Sequence, residues 1–239
     1  MSSEFEKQFI DGVTRSHSHV AWDGETTSDV HVIVWPTWGG LSDFEKRFAS
    51  DVASWGHSTT AVDLYGVGNN PTKPEDKANT LKTLVANQAP LTALLSDITK
   101  EIESSYPSKK IVHVGFCLGG RLAIEAGLHI PSSAGAVSYH GLMNFYRVEP
   151  ECDANQSAKF LVCNGYQDPM VDEDSAESAR AYFDELGVDW QFIDFGNAKH
   201  SFMLPQANAP QEGHEFSPEA SARGRTYLRG FLEEINSQK

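Results

Sequence analysis

The chain has 239 residues, 40% hydrophobic and 22% charged, enough to bury one large core without metal or disulfides. Its 33 acidic and 19 basic residues leave a formal charge of −14, which argues against a nucleic-acid partner, because phosphate binding needs a basic face. No run approaches the roughly 18 apolar residues of a membrane span, and polar residues 1–10 lack the apolar centre of a secretion signal.

In chain order, residues 1–29 form a polar lead-in with one or two edge strands. His31–Trp35 is a buried-strand run, broken by Pro36-Thr37-Trp38-Gly39-Gly40. Ser42 then caps a helix to about Trp55, and Glu45 completes a capping box. Thr59–Leu64 reads as the next strand and Tyr65–Lys73 as a Gly/Asn/Pro loop. A helical region over Glu75–Ser104 is expected to break near Pro90. Strand Lys110–Phe116 leads through a glycine-flanked turn into a helix ending near His129. Strands Ala134–Tyr139 and Lys159–Asn164 follow, then a helix over Asp172–Leu186 and a strand over Asp189–Phe195. Pro205–Pro218 reads as a surface loop, and a last helix covers about Pro218–Ile235. Alternating strands and helices predict an α/β fold with a mostly parallel central sheet covered on both faces. No internal repeat or long linker divides the chain, so 1–239 is expected to form a single domain.

The turn after Phe116 carries the chemistry. Gly115-Phe116-Cys117-Leu118-Gly119 has the form of a nucleophile elbow with a thiol at its crest. Small flanking residues let strand and helix pass closely, and the helix dipole favours a thiolate at Cys117. In a parallel sheet, reactive groups collect beyond the carboxyl ends of the strands. Asp168 and His200 each follow a later strand, giving the order nucleophile, acid, histidine. His200 would take and return the proton, and Asp168 would fix its tautomer. The backbone N–H groups of Leu118 and Trp38 are the expected oxyanion donors.

Other residues invite plainer readings. Cys163 sits in a strand pattern and reads as core, and Cys152 carries no motif. Three cysteines do not make a secreted disulfide framework, so a reducing, cytoplasmic setting is expected. His17-x-His19 places two imidazoles on one strand face, but without a third ligand no metal site is expected. His113 reads as a core residue, while His140 could line the pocket or simply pack. Asp63 is an alternative acid, or a brace for the loop after it.

The stretches Gly115–Arg121, Val62–Gly66, Val137–Gly141, Gly165–Asp168 and His200–Phe202 resemble the dienelactone hydrolase family. The resemblance runs from about His31 to the C-terminus. It implies an α/β-hydrolase fold, no cofactor, and opening of lactones or esters through a thioester on Cys117. Cys117, Asp168 and His200 match the family's triad, and Trp38 and Leu118 match its oxyanion positions. Two positions depart. Thr37 stands where the founding enzymes carry a glutamate that helps activate the thiol. Leu204 replaces an arginine that holds the substrate carboxylate, with no obvious Arg or Lys substitute, though Lys82, Arg121 or Lys199 could reach the site. With Trp38, Tyr65, Tyr139, Phe202 and Met203, this points to an apolar pocket, lined also by Thr37, Ser201 and Leu204.

The expected function is a cysteine hydrolase acting on a small-molecule lactone or ester, as a monomer or dimer, with no nucleic-acid or membrane partner. The competing reading is a non-enzymatic ligand-binding or sensor protein on the same fold.

Overall fold

Val30–Trp35 (β3) and Ser58–Ala61 (β4) are buried at every position and pair in parallel. Such doubly covered strands lose the in–out alternation of polarity, which is why β3 reads as a continuous apolar run. The computed structural model describes residues 2–23, 27–148 and 154–238. Lys110–Phe116 (β5), Ser133–Tyr139 (β6), Lys159–Gly165 (β7) and Asp189–Phe195 (β8) extend the parallel sheet beyond β3. Within the lead-in, Ser2–Gln8 (β1) and Thr14–Trp22 (β2) form an antiparallel hairpin, and β2 joins β4 antiparallel. The sheet order is β1-β2-β4-β3-β5-β6-β7-β8.

Helices close both faces. Asp43–Ala53 (α1) and Pro218–Ser237 (α6) pack over one face with Val30, Val32 and Val34. Pro74–Leu84 (α2), Gln88–Ser105 (α3) and Leu118–His129 (α4) cover the other with Ile33 and Trp35, joined by Glu173–Leu186 (α5). No helix among the described residues is long and apolar enough to cross a membrane.

Three boundaries differ from expectation. The helical region breaks at 85–87, and Pro90 lies inside α3. Proline is tolerated in a first turn, where the missing N–H has no helical acceptor. Strand β4 stops at Ala61, so Val62–Leu64 belongs to the following loop. Residues 205–218 hold a small ladder, Asn208–Ala209 (β9) with His214–Glu215 (β10).

Candidate active site

Cys117 stands between β5 and α4 with φ 54° and ψ −116°, a conformation costly for a side chain bearing Cβ. The turn is bolted from three sides. Cys117 N–H donates to Tyr139 O at 3.1 Å, and its carbonyl accepts from Gly120 and Arg121. Glycine is required on both flanks. A Cβ at Gly115 would fall 1.9 Å from Gly119 O, and one at Gly119 would fall 2.4 Å from Trp35 O. The other described non-glycine residues at positive φ are His140 and Ser201. All three lie beyond strand ends around one spot, where the fold concentrates its backbone strain.

His200 is buried and its Nδ1 is 2.7 Å from Asp168 Oδ2. The other carboxylate oxygen, Oδ1, accepts from Met170 N–H at 2.8 Å, which fixes the acid's rotamer. Burial works to lower the His200 pKa. The bond to Asp168 and the adjacent Cys117 thiol overcome it and hold the imidazole at about 10. His200 Nε2 has no well-formed hydrogen bond among the described residues, and the Cys117 thiol raises the imidazole through a side-chain contact and then through charge. His140 packs edge-on to His200, ring centroids 5.1 Å apart. Burial, and then the charge of His200, keep His140 well below an ordinary histidine pKa, so His140 stays neutral. His214 meets His200 from another side at 5.1 Å, a neighbour with no signal in the sequence.

Leu118 opens α4, so its N–H precedes the first intrahelical bond. Trp38 N–H has no protein acceptor among the described residues. A backbone amide without a protein acceptor is what an oxyanion donor requires.

Several expected pocket residues are placed differently. Tyr139 is turned into the core, stacked on Phe116, with its hydroxyl donating to Gly224 O at 2.8 Å. Phe202 is also fully buried, edge-on to Tyr139 and Phe195, and Met203 joins the same cluster. These side chains support the site from below, because the strand ends that carry the site residues also end in the core. Tyr65 is buried, donates its hydroxyl to Trp38 O at 3.1 Å, and lies close enough to Cys117 to feel its charge. Ser201 Oγ and His214 Nδ1 are 3.2 Å apart, and Leu204 is partly buried against the core.

Asp63 does not approach His200 in the bonding pattern. Its carboxylate accepts from Ser18 and Gly66 N–H, and its backbone binds His17 and His19, so it braces the loop. Arg121 forms a buried ion pair with Glu125 at 2.7 Å, and Lys199 pairs with Glu215 at 2.9 Å. Lys82 is exposed on α2. A cation beside the Trp38–Gly39 loop is Lys77, which sequence reasoning passed over. Its ammonium lies 5.9 Å from the Trp38 ring centroid and 3.7 Å from where a Gly39 Cβ would stand. His113 is a core residue bonded to Trp35 Nε1 and Ser133 Oγ. Cys163 is buried in β7, and Cys152 lies outside the described residues.

A side chain raised on a strained strand-to-helix turn, with an acid and a histidine supplied by later strands, is the arrangement of the α/β-hydrolases. The model of the dienelactone hydrolase family matches residues 22–233, and the chain belongs to that family. Over 120 residues it is 26% identical to acyl-protein thioesterase 1 of Neurospora crassa. That match takes in 48% of this chain and 49% of the thioesterase, so the chain spans about half the length of that curated relative. A solved structure described as m3DLH is 27% identical, with a TM-score of 0.84 over 99% of both chains. A dienelactone hydrolase-like promiscuous phosphotriesterase from metagenomic libraries is 22% identical and shares the fold, with a TM-score of 0.84 over 98% of both chains. Membership of that family, with the likeness to a thioesterase, weighs against the non-enzymatic reading.

Proposed function

We propose that the chain is a single-domain cysteine hydrolase that opens a lactone or small carboxylic ester through a thioester on Cys117. The observation carrying this reading is the alignment of Asp168, His200 and the thiol at the strained elbow. With His200 held protonated at neutral pH, the sulfur attacks the carbonyl as a thiolate. The oxyanion takes the N–H groups of Leu118 and Trp38. His200 gives its proton to the leaving alkoxide as the carbon–oxygen bond breaks, leaving an acylated sulfur. Neutral His200 then accepts a proton from water, whose oxygen attacks the thioester. Collapse expels the thiolate and frees the acid. In a lactone the alkoxide and acyl group stay in one molecule. A thiol nucleophile suits a reducing compartment, and we assign the protein to the cytoplasm.

The test is to trap the intermediate. Rapid acid quench with a slowly hydrolysed ester should add one acyl mass to the peptide carrying Cys117, and hydroxylamine should remove it. Acyl mass on a serine, or on no residue during turnover, would sink the thioester route.

Lys77 bears on the substrate. It forms no ion pair with the described residues, is half-buried, and stands beside the oxyanion loop. We infer that it favours esters carrying a negative charge. Lys77→Met should raise KM for carboxylate-bearing esters roughly fivefold, in keeping with ~1 kcal/mol for a half-exposed pair. Neutral esters should be unaffected. Equal changes for both classes would remove Lys77 from recognition.

A further inference from the structure

Glu45 is 1% exposed, in the first turn of α1. An ordinary capping box needs its carboxylate only to accept from the N-cap N–H. That bond is present, with Ser42 N–H donating to Oε2 at 2.9 Å, and the Ser42 hydroxyl donates there too. The other oxygen does something the cap does not require. Oε1 accepts from the backbone N–H of Thr37 at 3.2 Å, five residues before the cap. The buried carboxylate therefore ties both ends of the loop from Thr37 to Ser42.

The next peptide units are pinned as well. The Thr37–Trp38 peptide, which owns the Trp38 N–H, accepts at its carbonyl from Gly40 N–H at 3.0 Å. The Trp38–Gly39 peptide accepts at its carbonyl from the Tyr65 hydroxyl at 3.1 Å. Gly40 closes the turn at φ +79°, and Asn70 Nδ2 donates to Leu41 O at 3.0 Å. Three consecutive peptide planes are thus fixed, and Glu45 holds the first. These bonds set the direction in which the Trp38 N–H points.

We propose that Glu45 is a positioning residue: by clamping Thr37 to Ser42 it presets the Trp38 N–H as an oxyanion donor. The proposal rests on the thioester reading above. It gives Glu45 no contact with the thiol, so it separates two chemistries. Acylation by an ester builds an oxyanion, whereas alkylation by iodoacetamide displaces iodide at a saturated carbon and builds none.

Glu45→Gln keeps the size but turns an NH2 group toward either Thr37 or Ser42, where a donor already stands. We expect acylation of full-length protein by p-nitrophenyl acetate to slow about 10- to 100-fold, the range for a displaced or lost oxyanion donor. Iodoacetamide labelling of Cys117 should stay within about twofold, since it makes no use of that donor. A parallel loss of labelling would show that Glu45 acts on the thiol, and unchanged acylation would show no positioning. Either result overturns the proposal. Should Glu45→Gln not fold, Glu45→Asp keeps the acidic cap but is too short to span both ends. The same split, smaller in size, is expected there, and its absence overturns the proposal equally. The wild-type control isolates the underlying reading: if labelled wild-type protein still turns over ester, it is Cys117 catalysis that fails, independently of Glu45.

Discussion

Cys117→Ala and His200→Ala are each expected to reduce ester turnover by about 10⁴-fold or more, to the level left by binding and the oxyanion donors alone. The reason is that both act in one step. Without the thiol no acyl group is transferred, and without His200 neither the alkoxide nor the attacking water exchanges its proton. Asp168→Asn should cost roughly as much, about 10³- to 10⁴-fold, with the fold intact. The amide would have to satisfy both Met170 N–H and His200 Nδ1–H with a single acceptor oxygen, so the imidazole loses its tautomer. The wild-type pH profile belongs to the same prediction. His200 is raised to about 10, so the charged imidazole persists through neutral pH and is lost as pH rises through about 10. Turnover should hold up to that range and then fall, as a property of the coupled pair rather than of one residue. Single-turnover rates of the variants and a wild-type series from pH 6 to 11 check both points. Full activity in His200→Ala would remove the triad assignment.

Much of this site is legible in the chain because its parts obey local rules. An elbow announces itself through Gly115 and Gly119, whose missing Cβ atoms are dictated by the approach of β5, α4 and Trp35. Asp168 and His200 follow from strand order, since a parallel sheet brings strand ends together. What stayed hidden depends on contacts between elements distant in sequence. Glu45 reads only as a helix cap, because nothing in the sequence reveals that its second oxygen reaches Thr37. Lys77 lies in an exposed-looking helix, and only the approach of α2 to Trp38 gives it meaning. Tyr139 and Phe202 mislead for a different reason. Nearly all of β6 is buried on both sides, so alternation along it does not separate pocket from core. Pro90 misleads because a proline marks a helix start as well as a helix break.

The protein is also expected to unfold on mild acidification, between about pH 5 and 4, through histidines that take no part in catalysis. His31 and His113 are held at about 3, chiefly by burial, and His19 at about 3 by burial and then His17. Their ring nitrogens are engaged in the neutral form: His31 between Ser58 and Thr60, His113 between Trp35 and Ser133, and His19 on Asp63 N–H. The folded pKa lies below the unfolded value near 6.5, so the unfolded chain binds more protons between those limits. Stability is therefore complete above about pH 6.5 and falls as pH drops toward 3. Each histidine contributes about 1.4 kcal/mol per pH unit well inside that window. Three together remove roughly 8 kcal/mol by pH 4.5, comparable to the whole stability of a typical domain. His200 does not contribute, since its raised pKa stabilises the fold below 6.5 and loses that effect only near 10. Glu125 has the opposite sign: burial raises its pKa despite Arg121, so it takes up a proton first in the folded state and offsets part of the loss. Urea titrations at pH 7, 6, 5 and 4 should show stability dropping with a slope of at least three protons, since burial lowers His140, His57, His129 and His214 as well, and His113→Gln should reduce that slope by about one. A stability that stays level down to pH 4 would mean that these rings take up protons without leaving the core.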